Sequence, residues 1–219
     1  MPSKQTVSAD SKGEFTINSL TAGLYRIDTN LRGEDLFVRS ISLEPSASGS
    51  KGFDIAWAGI SLKVGEQVKG VIVTLSQGAA TVKGRLVVDE KQKPPVNKMR
   101  VYLVPSEKDT ADDVLRYAEA GVEGDGSFVM THLAPGQYWI LVREVVEQDR
   151  SGKEHAPLAW ESGGRMSLRF EGEALKKTLD LAPCQRLSDY AVTYVPLTAP
   201  SKPAKQPPKK PSSTSSQPR

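Results

Sequence analysis

Few residues of this sequence have side chains suited to metal binding or nucleophilic catalysis. The candidates are His132, His155 and Cys184. Neither histidine has a partner histidine or glutamate at the spacing of a zinc peptidase, and the cysteine has no His or Cys close to it in sequence. No Gly-x-Ser-x-Gly nucleophile elbow and no glycine-rich phosphate loop is present. We therefore expect a protein that is not an enzyme and that holds no metal and no cofactor.

Binding is the chemistry that remains, and aromatic side chains are the natural place to look for it. Ring faces offer apolar area and can stack on sugar rings. We take Trp139, Trp160 and Tyr117 as candidate ligand-binding residues. Trp139 lies on the opposite face of its predicted strand from Tyr138 and Ile140, and Trp160 lies in a long loop. Packing in or beside the core is the alternative interpretation for each tryptophan.

An internal repeat indicates the elements that must position these residues. The stretch Gly13–Ile27 recurs as Gly126–Ile140, and seven pattern positions match at the constant offset that takes Gly13 to Gly126. In each copy, apolar residues two apart precede a glycine, Gly23 or Gly136, after which the alternation resumes. Each copy is therefore predicted to be a hairpin whose glycine adopts a positive φ.

Further strands follow from the same alternation. A second correspondence, at a slightly smaller offset, matches Ser61–Val64 with Ser167–Phe170 and Val73–Leu75 with Leu179–Leu181. Two strands without a counterpart in the first copy are predicted at 81–88 and 99–104. The predicted core of the second copy consists of Val82, Leu86, Val101, Leu103, Phe128, Met130, Leu133, Tyr138, Ile140, Leu179 and Leu181.

Five short segments of the second copy stand in a recognisable order. They are Val82-Lys83-Gly84-Arg85-Leu86-Val87, Pro95-Val96, Arg100-Val101-Tyr102-Leu103-Val104-Pro105, Asp125-Gly126-Ser127-Phe128 and Leu133-Ala134-Pro135-Gly136-Gln137-Tyr138. In this order they resemble a bacterial carboxypeptidase regulatory-like domain, over residues 79–183 well and over 9–77 in part. The resemblance implies a transthyretin-like Greek-key sandwich, a fold that is grouped with starch-binding-like folds. Such modules accompany zinc carboxypeptidases, surface proteins and outer-membrane receptors, and the resemblance implies no catalysis in the module itself.

We therefore predict an all-β chain of tandem antiparallel Greek-key β-sandwiches of the transthyretin type. Its predicted parts are a partial carboxypeptidase regulatory-like sandwich at 1–78, a complete one at 79–185, an extra strand or linker at 186–200 and a disordered tail at 201–219. The tail is rich in proline, lysine and serine and has no large apolar residue to bury. It is a flexible linker or stalk, or it attaches to an anionic surface.

Charge and hydropathy limit the classes of partner that we expect. The net charge is +3, but the tail contains five basic and no acidic residues, so residues 1–200 carry −2 and nucleic acid is not an expected partner. No apolar run reaches the ~18 residues of a membrane span. The sequence shows no export signal at its start, so that Met1 is not the natural start if the protein is secreted. The resemblance nevertheless favours the cell envelope or secretion.

The first functional hypothesis is a noncatalytic structural or interaction module of a bacterial envelope or secreted protein. Its expected partner is a polysaccharide or an envelope protein. The alternatives are a carbohydrate-binding module that uses exposed aromatic residues, and a regulatory appendage of a peptidase on another chain. Fold alone does not decide among them, and the oligomeric state stays open.

The first copy lacks counterparts of the strands predicted at 81–88 and 99–104. Because proteins usually cover or pair an open strand edge, we expect a further strand to complete it. The stretch Leu187–Pro196 has no counterpart in the repeat and is rich in β-forming residues, so it is the candidate that returns to the first copy. A strand from another chain, or an upstream segment of a longer natural protein, is the alternative.

Overall fold

A computed structural model describes residues 5–44, 52–88, 96–144 and 157–196, and the predicted tail at 201–219 lies outside these ranges. The described residues form mainly β-strands and one α-helix, so the all-β class is confirmed. We call residues 5–78 the first part and residues 79–196 the second part. The elements are β1 (Gly23–Tyr25), β2 (Leu36–Leu43), β3 (Phe53–Asp54), β4 (Ile60–Leu62), β5 (Val71–Gln77), β6 (Ala80–Val87), β7 (Met99–Pro105), β8 (Ala118–Gly121), β9 (Ser127–Leu133), β10 (Gly136–Glu144), α1 (Ser162–Leu175), β11 (Thr178–Leu181) and β12 (Arg186–Thr193).

Two sheets face each other in the second part and enclose the main core. One has the strand order β12-β6-β9 and the other the order β11-β10-β7-β8. Alternation along each strand gives each sheet an apolar face, and the two faces bury each other. All predicted core residues belong to this cluster; Leu86 is half-buried and the others are buried. The predicted phase of these strands is therefore confirmed.

The helix covers the outer face of the second sheet. Its residues Gly164, Leu168 and Gly172, spaced four apart, form one buried face. Leu168 packs with Tyr102 and Leu141, whose side chains point away from the main core. The predicted match of Ser167–Phe170 to the strand segment at 61–64 is therefore wrong. In a short apolar run, periodicity alone does not distinguish a helix from a strand. Here the segment belongs to the helix that covers the outer face of the second sheet.

The predicted hairpin of the second copy is also wrong in its pairing. Strands β9 and β10 form as expected, but β9 pairs with β6 while β10 pairs with β7 and β11. The connection between them therefore crosses from one sheet to the other. His132, with φ 57°, and Gly136, with φ 147°, lie at this crossing, whereas Gly23 of the first copy has no positive φ. Alternation predicts strands, but it does not say which strands pair.

The first part contains a three-stranded sheet, β3-β2-β5, and the two-stranded pair β1-β4. Its small core is formed by Ile41, Ile55 and Ala56, and Val114 of the second part completes it. The predicted strand around Phe15 is not formed, although residues 14–17 keep an alternation of exposed and half-buried side chains. The strand is absent because none of the described residues supplies a partner for it.

The last strand belongs to the second part. β12 lies parallel to β6, and its Val192 is buried in the main core. Gly84 of β6 permits this approach, because a Cβ atom there would lie 2.3 Å from the Tyr190 carbonyl oxygen. The expectation that Leu187–Pro196 returns to the first part is therefore wrong, and the second sandwich continues past the predicted boundary at 185.

Candidate functional site: the joint between the two parts

The three candidate ligand-binding residues do not share one site. Trp139 lies under the helix, where a Cβ atom on Gly172 would lie 2.7 Å from its ring. The Arg169 guanidinium covers that ring at 5.3 Å from the centroid. Trp160 and Tyr117 instead line one cavity of about 290 Å³ at the joint, together with Asp28, Thr29, Leu31, Val38, Tyr102, Val114, Leu115, Ala118, Glu119, His132, Pro157, Ala159 and Leu168.

Two polar groups of this cavity are held in place by the second part. Glu119 accepts a hydrogen bond from Arg100 and a second, at 3.3 Å, from the Leu158 backbone N–H. The Tyr117 hydroxyl donates to the Ala111 carbonyl at 2.7 Å. Burial raises the pKa of Tyr117, which therefore stays a neutral hydroxyl at physiological pH. The cavity thus combines aromatic walls with a fixed carboxylate and a neutral hydroxyl.

A short 3-10 turn at the cavity wall links it to the first part. Asp113 caps this turn by accepting a hydrogen bond from the Leu115 N–H at 3.0 Å. Burial raises the pKa of the Asp113 carboxyl, and the Leu115 hydrogen bond and the nearby Arg116 charge only partly offset this effect. Val114, within the turn, is buried in the first part's core, and Leu115 of the same turn packs against that core. The cap therefore positions a side chain that joins the two parts.

Two arginines stack on tryptophans across the joint, in opposite directions. Arg26 of the first part lies 5.1 Å from the ring centroid of Trp160 in the second part. Arg165 of α1 lies 5.4 Å from the ring centroid of Trp57 in the first part. Arg165 is only 7% exposed and also donates to the Ala159 carbonyl at 2.8 Å. Such cation–π contacts contribute about 0.5–2 kcal/mol each, with the larger values in desolvated places.

Near β12, ion pairs and a histidine hydrogen bond connect the two parts at the joint. Arg186 of β12 donates hydrogen bonds to Glu34 and, at 2.9 Å, to Asp35. The His132 Nδ1 lies 2.8 Å from the Leu36 carbonyl oxygen, which is a hydrogen bond when Nδ1 carries the proton. From the sequence, His132 was considered only as a candidate for metal binding or catalysis. Its role at the joint could not be inferred, because its partner lies far away in sequence.

The local backbone geometry of the first repeat recurs in the second at the offset that takes Gly13 to Gly126. The bond from Asp10 N–H to Glu14 carbonyl, 2.9 Å, matches the bond from Glu123 N–H to Ser127 carbonyl, 2.8 Å.

The tyrosine hydroxyl at the end of each stretch also makes a hydrogen bond that is equivalent in the two copies. Tyr25 donates to the Thr21 carbonyl at 2.8 Å, and Tyr138 donates to the Ala134 carbonyl at 2.6 Å. Gly13 and Gly126, with φ 83° and 84°, and Ser19 and His132, with φ 60° and 57°, agree as well. We call this offset the first offset.

A second set of matches occurs at the offset that takes Leu62 to Leu181, which is larger than the one predicted from Ser61 and Ser167. Strand β4 pairs with β1 as β11 pairs with β10, so that Gly23 faces Leu62 as Gly136 faces Leu181.

The turn after β4 and the turn after β11 are each closed by a side-chain oxygen. The Lys63 N–H donates to Glu66 at 2.7 Å and the Ala182 N–H donates to Gln185 at 2.7 Å. Positive φ values recur at Gly65 and Cys184, 75° and 59°, and at Gly70 and Asp189, 74° and 60°. We call this offset the second offset.

The described residues, including those of the joint, contain no group of three or more His, Cys, Asp or Glu side chains that could hold a metal ion, and His155 lies outside them. Cys184 is exposed in its turn. No helix within the described ranges combines the length and the apolar character needed to cross a membrane. Comparisons with models of protein families, with curated proteins and with solved structures found no match.

Proposed function

We propose that the chain is a tandem of two related, transthyretin-like Greek-key units and serves as a noncatalytic structural module of a bacterial envelope or secreted protein. The matching hydrogen bonds and φ values at the first and second offsets support the tandem, because unrelated stretches would not share them in order. An envelope protein or a polysaccharide is the proposed partner. The peptidase-appendage hypothesis stays a prediction from the resemblance.

The observation that carries this proposal is the joint itself. Reciprocal arginine–tryptophan stacks, Arg26 on Trp160 and Arg165 on Trp57, hold the two parts from both sides. The Arg186 ion pairs hold them at a further point, although exposed ion pairs contribute little free energy. Contacts at several points fix an orientation, whereas one contact leaves a hinge. A module held in this way transmits force and sets a distance between what is attached to its ends.

A double substitution at the joint tests this role. We expect the wild-type chain to unfold in one calorimetric transition, because the reciprocal stacks couple the two parts. The double variant Arg26→Ala, Arg165→Ala should unfold in two separate transitions and show a larger radius of gyration in small-angle scattering. The matched control is Arg169→Ala, which removes a stack on Trp139 within the second part. A double variant with a single transition and the wild-type radius would contradict the proposal.

The cavity favours carbohydrate binding as a second candidate function. Tyr117 and Trp160 line it together with the Glu119 carboxylate, and aromatic walls with a few fixed polar groups suit a sugar ring. A glycan screen by tryptophan fluorescence tests this candidate. A bound sugar should change the emission of the wild type and of Trp139→Phe, but not that of Trp160→Phe. Equal responses of the two variants would place binding elsewhere, and no response in a broad screen would exclude the candidate.

A further inference from the structure

The second part shows how its first sheet is assembled, and the described residues of the first part include equivalents of only two of its three strands, one of which is not formed as a strand. In the second part, β6 lies between β9 and β12, antiparallel to one and parallel to the other. The first offset makes residues 14–20 the equivalent of β9. The second offset makes β5 the equivalent of β12. None of the residues that the structure describes takes the place of β6 between them.

The backbone directions in β5 show which of its edges is open. The Glu44 N–H donates to the Gly70 carbonyl at 2.7 Å, so β2 lies on the edge that Gly70 faces. Because successive residues of a strand point their backbone groups to opposite edges, Val71, Val73 and Leu75 face the other edge. Their equivalents, Tyr190 and Val192 in β12 and Tyr194 just after it, face β6, as the bond from the Tyr194 N–H to the Val87 carbonyl, 3.1 Å, shows. The edge of β5 left without a described strand is therefore the one that β6 would occupy.

Apolar side chains are left partly uncovered at the same place. Leu75 shares a strand face with Val71 and Val73, which pack against the small core, yet it is 42% exposed. Its equivalent, Tyr194, packs against the main core. Phe15 is half-buried, whereas its equivalent Phe128 is 1% exposed. The two offsets therefore define a strand position, flanked by residues 14–20 and β5 as β6 is flanked by β9 and β12. We call it the open strand position.

We propose that the open strand position binds a β-strand of a partner protein, antiparallel to residues 14–20 and parallel to β5. This inference rests on the proposed tandem and names the kind of partner that the first unit takes. A strand added at an open edge gains main-chain hydrogen bonds for affinity and side-chain pockets for specificity. The partner strand has the chemistry of β6, with apolar residues alternating on the face toward Phe15 and Leu75.

The equivalence with β6 also predicts the identity of one residue in the partner strand. In β6, Gly84 lies opposite Phe128 and beside Tyr190. A Cβ atom on Gly84 would lie 2.5 Å from Phe128 Cζ and 2.3 Å from the Tyr190 carbonyl oxygen. Phe15 and Val71 are the equivalents of Phe128 and Tyr190 at the two offsets. The partner strand therefore needs a glycine opposite Phe15, where a larger residue would meet the ring and the β5 backbone.

A peptide with the sequence of residues 81–88 tests the inference on the unmodified chain. We expect saturable binding of one peptide per chain, with amide hydrogen exchange slowed in residues 14–20 and 71–75. A peptide carrying the change Gly84→Val should bind at least about tenfold more weakly, because a side chain there overpacks the site. The joint variants described above leave the open strand position intact, so they should bind the peptide like the wild type.

Three outcomes would overturn the inference. One is the absence of binding at millimolar peptide, and another is equal binding of the two peptides. The third is self-association of the chain that protects residues 14–20 and 71–75 without peptide, because a second copy would then be the occupant. The calorimetric test of the joint does not depend on any of these results, so a failed strand partner and a failed structural role are distinguishable.

Discussion

The equivalent residues Phe128 and Phe15 provide the most direct test of the fold and of the repeat. Phe128 is 1% exposed between the two sheets of the second part, whereas Phe15 is half-buried beside the open strand position. Truncating a fully buried phenylalanine to alanine costs about 3–5 kcal/mol, from lost transfer free energy and from the cavity left behind. Full burial of a phenylalanine is worth about 1.5–3 kcal/mol, so a half-buried one should lose about 1 kcal/mol.

Urea unfolding of Phe128→Ala and Phe15→Ala measures these free energies. For a chain of this size, each 1 kcal/mol shifts the melting temperature by about 2–4 °C, so Phe128→Ala should lower it by roughly 6–20 °C. Phe15→Ala should lower it by only a few degrees. A loss below about 1 kcal/mol for Phe128→Ala would refute the strand phase and the core described above. A larger loss for Phe15→Ala than for Phe128→Ala would refute the open strand position.

Two further predictions concern the second part. Burial raises the pKa of Tyr138 to about 12 from 10.0, so its contribution to stability is complete below pH 10 and is lost as the pH rises through about 12. The difference in free energy of unfolding between the wild type and Tyr138→Phe, measured by urea titration, should therefore change by about 3 kcal/mol over this range, and a constant difference would contradict the buried hydroxyl. Gly84→Ala should cost about 3 kcal/mol, the upper end of the usual range for overpacking, because the new methyl group forces β12 away from β6. The control Gly121→Ala, in β8, meets no atom within 4 Å and should be nearly neutral in the same urea assay.

Much of the second part could be predicted from the sequence, because its information is local. The alternation around Val82, Val101 and Phe128 predicts strands and their buried faces, and each core residue so predicted packs in the main cluster. The matches at the first offset likewise consist of hydrogen bonds between residues close in sequence, such as the bond from Tyr138 to Ala134. Local propensity and a dominant apolar face agree in these segments, so their strands form irrespective of which neighbours they meet.

The pairing of these strands was decided by the tertiary structure. Alternation did not show that β9 and β10 enter opposite sheets, that residues 162–175 form a helix or that β12 lies beside β6. The same limit applies to the site. The sequence marked Trp160 and Tyr117 as aromatic candidates, but the stacking of Arg26 on Trp160 joins residues more than a hundred positions apart. Such contacts depend on which faces of the sheets remain uncovered once the sheets have formed. The residues next to an arginine or tryptophan in the chain do not determine which faces these are.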